Sequence, residues 1–247
     1  MSPRAILFDL FGTVVEFSPQ VPTLQVAGTQ WRSTMGWLQP VAETMLPQVG
    51  FAELLQALLA TTEEIVRDRP PEYREISSPI RFARALRRLG VEESRLDQIA
   101  GELSLVHMRH IASLTFLPAG HRELLQQVAG AYRIGLVSNF DHAPTAHRIL
   151  ADAGVASLFE VTLISDDFGR RKPHRAIFRQ ALDRLGVEAA ETWFIGDSLD
   201  DDIAGAAGIG MPSVWLDKKG KGAPQGGPVP DRVIARLLDL PELLARH

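Results

Sequence analysis

With 247 residues, the chain is long enough for one large domain or two modest ones. Its net charge of −4 and pI of about 6.0 exclude a global basic field for nucleic acid or an anionic membrane, and the absence of cysteine excludes disulfides, thiolate metal sites and a cysteine nucleophile. No apolar run approaches the ~20 residues of a membrane span, so we expect a cytoplasmic protein that binds neither nucleic acid nor membrane.

The first predicted element is a buried strand at residues 4–8, which runs directly into Asp9. From about residue 17 to residue 115 there is no strand signal, and three segments carry apolar residues at helical spacing. These segments are residues 51–68, 78–90 and 93–114. The pattern predicts an α-helical cap domain, residues 17–115, inserted after the first strand.

Strand and helix patterns alternate after residue 116. The predicted strands are residues 132–139, 159–165, 192–197 and 212–216, and the predicted helices are residues 118–130, 143–154, 175–186 and 201–210. A Gly-, Pro- and Lys-rich loop at 218–230 precedes a last short strand and helix. Such alternation indicates an α/β, Rossmann-like domain, with a parallel sheet and helices on both faces. We assign residues 1–16 and 116–247 to it.

Polar side chains follow the carboxyl ends of four predicted strands, where functional groups of parallel sheets gather. They are Asp9, Ser138 with Asn139, Ser165 with Asp166 and Asp167, and Asp197 with Ser198. Lys172 follows the third of these strands by a few residues. Acids with one lysine and a hydroxyl suit Mg²⁺, which prefers oxygen ligands, together with the oxygens of a phosphate. The sequence therefore predicts a site for Mg²⁺ and a small anionic substrate.

Four motifs in this order, DLFGT, SN, KP and GDSLDDD, resemble the four motifs of the haloacid dehalogenase (HAD) superfamily. Their spacing matches along nearly all of residues 1–216, and the helical insertion matches the position of the family's cap. The resemblance implies a hydrolase with an aspartate nucleophile, active as a monomer or homodimer.

The resemblance also implies a role for each matching residue. Asp9 is the implied nucleophile, which forms a covalent aspartyl intermediate. Ser138 is implied to contact the transferring group, and Lys172 to neutralise charge on the nucleophile and the intermediate. The implied metal ligands are Asp9, the main-chain carbonyl of Phe11, Asp197 and Asp202. Asp201 remains an alternative to Asp202, because three aspartates follow one another.

Three further residues are predicted to contact the substrate. Thr13 lies at the family's spacing after the acid, Asn139 adjoins Ser138, and Arg32 comes from the region in which dehalogenases place an arginine over the halide or carboxylate. His142 is a candidate proton donor. Other charged residues are predicted to be solvated, namely Arg170 and Arg171 near the third motif and Arg81, Arg84 and Arg88 on one helical face.

Phe11 departs from the phosphatase pattern. Family phosphatases usually carry an aspartate there, which protonates the leaving alcohol and then activates water. General acid–base catalysis of this kind typically raises the rate by ~10²–10⁴-fold. Dehalogenases carry an aromatic residue there, because a halide needs no proton, but they need no Mg²⁺ and differ in the fourth motif.

Three functions remain open. The acids of the fourth motif favour a Mg²⁺-dependent phosphatase of a small phosphorylated metabolite. The first alternative is a metal-independent 2-haloacid dehalogenase. The second is a catalytically weak or non-catalytic member that binds an anion or a partner.

Overall fold

The computed structural model describes residues 3–26 and 29–246, and the chain forms two compact units. The first, which we call the α/β unit, consists of residues 1–17, 71–75 and 116–247. The second, the inserted unit, consists of residues 18–70 and 76–115. Residues 71–75 therefore belong with the α/β unit, although they lie inside the segment predicted as the cap. None of the helices in the described ranges combines the length and the apolar character that crossing a bilayer requires.

The predicted strands and helices occur in the predicted order, and the structure adds short elements that the sequence pattern did not indicate, among them two strands in the inserted unit. The strands are β1 (Ala5–Phe8), β2 (Glu16–Phe17), β3 (Thr23–Val26), β4 (Thr29–Arg32), β5 (Thr115–Phe116), β6 (Arg133–Ser138), β7 (Val161–Ile164), β8 (Thr192–Gly196), β9 (Ser213–Leu216) and β10 (Arg232–Ile234). The α-helices are α1 (Gln39–Met45), α2 (Phe51–Arg67), α3 (Ser78–Arg88), α4 (Glu93–Leu114), α5 (His121–Ala129), α6 (Ala143–Asp152), α7 (Ser165–Phe168), α8 (Arg175–Leu185), α9 (Ala204–Ala207) and α10 (Leu240–Ala245).

A parallel sheet of six strands forms the α/β unit, in the order β10-β9-β8-β1-β6-β7. All four residues of β1 are fully buried. A central strand that is covered on both faces consists of a continuous apolar run, which is why this element was recognisable in the sequence. The predicted α/β fold class is confirmed, and so is the prediction that the strands leading to Asp9 and Asp197 are neighbours.

Alternate residues of β1 point to opposite faces of the sheet, and on one face Leu7 packs into a core built mainly with α8. Gly135 of β6 is paired with Leu7, and a Cβ atom at Gly135 would lie only 2.8 Å from the Leu7 Cδ2 atom. The glycine therefore lets the Leu7 side chain lie directly over its neighbouring strand.

The inserted unit is mainly helical, and its core joins α1, α2, α3 and α4. It also contains an antiparallel pair, β3 with β4, so the prediction that residues 17–115 lack strands is wrong there. The segments of these two strands, TLQV and TQWR, carry β-branched residues, a short-range strand signal that the surrounding helical patterns outweighed.

Arg81 of the inserted unit is not solvated as predicted, because only 9% of the residue is exposed and its guanidinium lies 5.3 Å from the ring centroid of Phe82.

Because β1 is central and fully buried, substitutions in it should lower the stability of the fold. Leu7→Ala should lower the free energy of unfolding by about 2–5 kcal/mol, because it leaves a cavity in a fully buried core. Val233→Ala, in the edge strand β10 where Val233 is 54% exposed, is the control and should change it by about 0.5 kcal/mol or less. Urea unfolding measures both, and equal losses in the two variants would contradict the placement of β1.

Candidate active site

The carboxyl ends of three adjacent strands meet at one edge of the sheet. Asp9 directly follows β1, and its main-chain N–H donates to the Ile195 carbonyl of β8 at 2.9 Å. Ser138 is the last residue of β6, and Asp197 follows the last residue of β8. Since β1 lies between β6 and β8 and all three run in parallel, these residues arrive at the same edge.

The ammonium group of Lys172 lies at the centre of this edge. Its Nζ atom donates to the Asp9 Oδ1 atom at 2.6 Å and to the Val137 main-chain oxygen at 2.8 Å, and it lies 2.7 Å from Asp202 Oδ1. Lys172 is 1% exposed. The ammonium therefore donates two hydrogen bonds and forms ion pairs with the carboxylates of Asp9 and Asp202.

Asn139 fixes the backbone of Lys172. The Asn139 Oδ1 atom accepts a hydrogen bond from the Lys172 main-chain N–H at 2.7 Å, and its Nδ2 atom donates to the Lys172 carbonyl at 2.9 Å. The amide of Asn139, a predicted substrate contact, is therefore engaged with the Lys172 backbone through both its oxygen and its nitrogen.

Asp9, Asp197 and Asp202 form what we call the acid cluster, in which one carboxylate oxygen from each residue lies within 4.8 Å of the others. Burial raises the pKa of Asp9 to about 7, with Lys172 opposing this shift and the carboxylates of Asp202 and Asp197 adding to it. Burial and Asp202 also raise the pKa of Asp197. Three carboxylates facing one ammonium leave an excess of negative charge, and their oxygens are the hard ligands that Mg²⁺ prefers. The residues therefore fit Mg²⁺.

Lys172 keeps its charge in this setting. Burial lowers the pKa of its ammonium, but the carboxylates of Asp202 and Asp9 outweigh the burial and hold the pKa above its ordinary value. The attraction between opposite charges thus exceeds the cost of removing the ammonium from water.

The turn after β8 places the side chain of Asp202, rather than that of Asp201, beside Lys172. Residues Leu199–Ile203 form a short π-helical segment, a rare geometry that recurs at functional sites. Asp202 is 1% exposed and accepts a hydrogen bond from the Ser198 main-chain N–H at 3.0 Å. Asp202, not Asp201, is thus the acid that lies in the cluster and beside Lys172.

A cavity of about 160 Å³ opens beside the acid cluster. Its lining consists of Asp9, Phe11, Asn139, Arg171, Lys172, Asp197, Ser198, Asp201 and Asp202. The Phe11 ring stacks on the Phe17 ring, with centroids 5.1 Å apart, and it lies 4.7 Å from the Phe140 ring. The wall beside the acid cluster is therefore apolar at the position where family phosphatases carry a second aspartate.

Two of the residues that were predicted to contact the substrate or its transferring group are buried. Ser138 and Thr13 are both 0% exposed, and neither side-chain hydroxyl has a hydrogen-bond partner among the described residues.

His142, the candidate proton donor, does not line the cavity, and its Nδ1 atom lies 2.9 Å from Thr145 Oγ1. Arg32 ends β4, but its side chain lies outside the described part of the structure, so its role stays a prediction.

The prediction that Arg171 is solvated is wrong. Its side chain is 14% exposed, lines the cavity and pairs at 3.1 Å with Glu75, whose side chain is 2% exposed. A Glu75 oxygen also accepts from Ser165 Oγ at 2.5 Å, and Ser165 Oγ in turn accepts from the Phe140 main-chain N–H at 2.9 Å. No local pattern identifies Glu75, because about ninety residues separate it from its partners.

Residues 3–210 match the haloacid dehalogenase-like hydrolase family. Because the match spans most of the chain and the fold has the same parallel sheet, this protein belongs to that family and is a hydrolase. The predicted family is thereby confirmed.

Individual relatives differ in their named activities. A glyceraldehyde 3-phosphate phosphatase of Pyrococcus furiosus is 33% identical over 172 residues, 68% of this chain and 70% of that protein. A second such phosphatase, of Pyrococcus abyssi, is 34% identical over 58% of this chain. The match spans 59% of the length of that relative, which is less than two thirds. The crystal structure of a 2-haloacid dehalogenase from Pseudomonas syringae pv. Tomato is 27% identical, with a TM-score of 0.75 and 99% of each chain covered.

The acid cluster makes a prediction about stability and pH in the metal-free protein. With its pKa raised from 3.8 to about 7, folded Asp9 holds a proton that the unfolded chain has already released. Its contribution to the free energy of unfolding is therefore present below about pH 4 and is lost as the pH rises to about 7.

Asp9→Asn should accordingly lose less stability than the parent between these pH values. Urea unfolding in the presence of a chelator measures the difference. Asp152→Asn, which makes the same change of charge at an exposed residue that pairs with Arg148, should follow the parent. Parallel pH profiles for the parent and Asp9→Asn would show that Asp9 is not buried as described.

Proposed function

We propose that this hydrolase is a Mg²⁺-dependent phosphatase of a small phosphorylated metabolite, with Asp9 as the nucleophile. The observation that carries the proposal is the acid cluster, where three carboxylates lie close together and a single ammonium pairs with two of them, Asp9 and Asp202. That excess of negative charge is difficult to explain without a divalent cation. The phosphatases among the relatives support a phosphorylated substrate, and the cavity of about 160 Å³ supports a small reacting group.

Asp9 is oriented for attack by its contact with Lys172. The ammonium holds Asp9 Oδ1, which leaves Oδ2 as the oxygen to bond to phosphorus. As that bond forms, the bond from phosphorus to the leaving oxygen breaks, and an aspartyl phosphate results. Water then attacks the phosphorus, which releases inorganic phosphate and restores the Asp9 carboxylate.

The hydroxyls of Ser138 and Thr13 serve the transferring group in this proposal. A buried hydroxyl without a partner costs about 1–3 kcal/mol, and phosphoryl oxygens would supply the missing acceptors. Asn139 acts through Lys172, because its amide holds the lysine backbone.

Asp9, the Phe11 carbonyl, Asp197 and Asp202 would hold Mg²⁺, which supplies charge stabilisation to the phosphoryl oxygens when bound. Asp202 then serves both the ion and Lys172. Because phosphoryl transfer depends mainly on positioning and charge neutralisation, this arrangement suffices for the attack on phosphorus.

A 2-haloacid dehalogenase is the second candidate, and Phe11 is the observation that favours it. A departing halide needs no proton, so an aromatic residue at this position costs that reaction nothing. The dehalogenase from Pseudomonas syringae supports the same alternative through its similarity over 99% of the chain. Carboxylate attack by Asp9 would then displace the halide from carbon.

Removing the nucleophile tests both candidates. Asp9→Asn should lower turnover of any true substrate by at least about 10³-fold, because an amide is a poor nucleophile. The phosphatase proposal further expects phosphate release to require Mg²⁺ and to stop in a chelator, as measured with a panel of phosphorylated metabolites. Turnover of 2-haloacids in the chelator would instead establish the dehalogenase. No turnover of either panel would leave the non-catalytic, anion-binding alternative.

Phe11 should limit the leaving groups that are tolerated. The side chain cannot protonate a departing alkoxide, so aryl and acyl phosphates should turn over much faster than alkyl phosphates of similar size. Phe11→Asp should raise alkyl phosphate turnover by up to about 10²–10⁴-fold, the range of general acid–base catalysis.

Phe11→Leu is the matched control, since it removes the ring without adding an acid. It should leave the preference for aryl over alkyl phosphates in place. Equal turnover of aryl and alkyl phosphates by the parent would mean that another group donates the proton, with His142 the first residue to mutate.

A further inference from the structure

The lysines of this chain are confined to two places. Of its 26 lysine and arginine residues only four are lysines, namely Lys172 beside the acid cluster and Lys218, Lys219 and Lys221 after β9. Elsewhere the positive charges are arginines. A general need for solvated cations therefore does not explain three lysines within four positions. Residues 217–222 are named the lysine loop below.

The lysine loop is ordered by its own acid. The buried Asp217 carboxylate accepts hydrogen bonds from the main-chain N–H groups of Lys221 at 3.2 Å and Gly222 at 2.9 Å. These bonds and others from the loop backbone hold the pKa of Asp217 below its ordinary value. Gly220 and Gly222 have φ angles of 60° and 72°, which other residues rarely adopt. The backbone N–H groups thus stabilise the charged Asp217 carboxylate, and the lysine side chains are left for other contacts.

A cleft of about 560 Å³ lies against the lysine loop. Asp197 lines both this cleft and the smaller cavity of the acid cluster, so the two spaces adjoin. Trp215 lines the cleft too, and its Nε1 atom donates to the Asp197 carbonyl at 3.0 Å. A substrate whose phosphoryl group fills the cavity has the cleft as neighbouring space for the rest of the molecule.

Two of the lysines retain uncompensated charge. Lys218 Nζ lies 2.7 Å from Glu16 Oε1, so its charge is paired. Across residues 3–26 and 29–246, no carboxylate lies within ion-pair distance of Lys219 or Lys221. Both are exposed and line the cleft. A mobile ammonium on a flexible stem suits an anionic group whose position varies between substrates.

We propose that this cleft binds a second anionic group of the substrate, a phosphate or a carboxylate, and that Lys219 and Lys221 determine this specificity. The proposal rests on the phosphatase function proposed above and names its substrate class, phosphate esters that carry another anion. The interaction is solvent-exposed, so it should be modest and should weaken as salt screens it.

The test compares phenyl phosphate with 4-carboxyphenyl phosphate and 4-phosphonophenyl phosphate, in which the phosphonate cannot be hydrolysed. We expect kcat/KM to favour one or both anionic derivatives by about three- to ten-fold, mainly through a lower KM. A preference for the phosphonate alone assigns a phosphate, and a preference for the carboxylate alone assigns a carboxylate. The Lys219→Ser/Lys221→Ser variant should lose the preference, and so should the parent protein at high salt.

Arg148→Ser/Arg184→Ser is the matched control, because it removes two exposed positive charges from α6 and α8. It should keep the full preference, and Lys218→Ser should keep most of it. The proposal is overturned if the parent shows no preference or if the Lys219→Ser/Lys221→Ser variant retains it.

A failure of the proposed phosphatase function can be distinguished from a failure of the proposed anion-binding cleft. If none of the three compounds is hydrolysed, calorimetric titration of the same compounds still measures the cleft. Tighter binding of the anionic derivatives, lost in the Lys219→Ser/Lys221→Ser variant, would support the cleft while rejecting the phosphatase. Equal binding of all three compounds would reject the cleft as well.

Discussion

The buried ammonium of Lys172 holds together three parts of the chain that are distant in sequence. It contacts the acid after β1, the backbone of β6 and the turn after β8. Each contact is available because the parallel sheet places β1 between β6 and β8, with all three carboxyl ends at one edge. Without Lys172, Asp9 and Asp202 would be buried carboxylates with no opposite charge, which is strongly unfavourable. The order of the strands and the charge balance of the site therefore depend on each other.

The site separates two tasks that catalysis usually combines. In the proposed function, Lys172 and a cation held by the acid cluster would neutralise charge on the transferring group. Supplying a proton to the leaving group has no such provision, since Phe11 and its aromatic neighbours form the wall where that acid would lie. Under the proposed function, such a site would select substrates by the stability of the leaving group, whether that is the oxygen of a phosphate ester or a halide. The two candidate reactions would then differ at this site mainly in whether a cation is needed.

Most of the fold was predictable, because it depends on local patterns. The strand predicted at 192–197 ends within one residue of Thr192–Gly196, and the strand-end acids followed from the parallel topology alone. The sequence favoured Asp202 but left Asp201 open, because no short pattern specifies the π-helical turn that places Asp202 beside Lys172. Glu75 was missed for a different reason. Its partners Ser165 and Arg171 are remote in sequence, and only the tertiary structure brings them to it.

The position of Glu75 has a consequence for how such an insertion can be exchanged between relatives. The segment between β2 and β5 is a single continuous insertion in the sequence. Residues 71–75 within it nevertheless belong to the α/β unit. Hydrogen bonds from the backbone of Arg171 to Tyr73 and of Glu75 to Gly169 secure them there. The transferable module is thus two separate pieces, 18–70 and 76–115, on either side of a segment that must stay. A chimaera that swaps the whole stretch would strip a buried carboxylate from the recipient and leave the Arg171 guanidinium without its counterion.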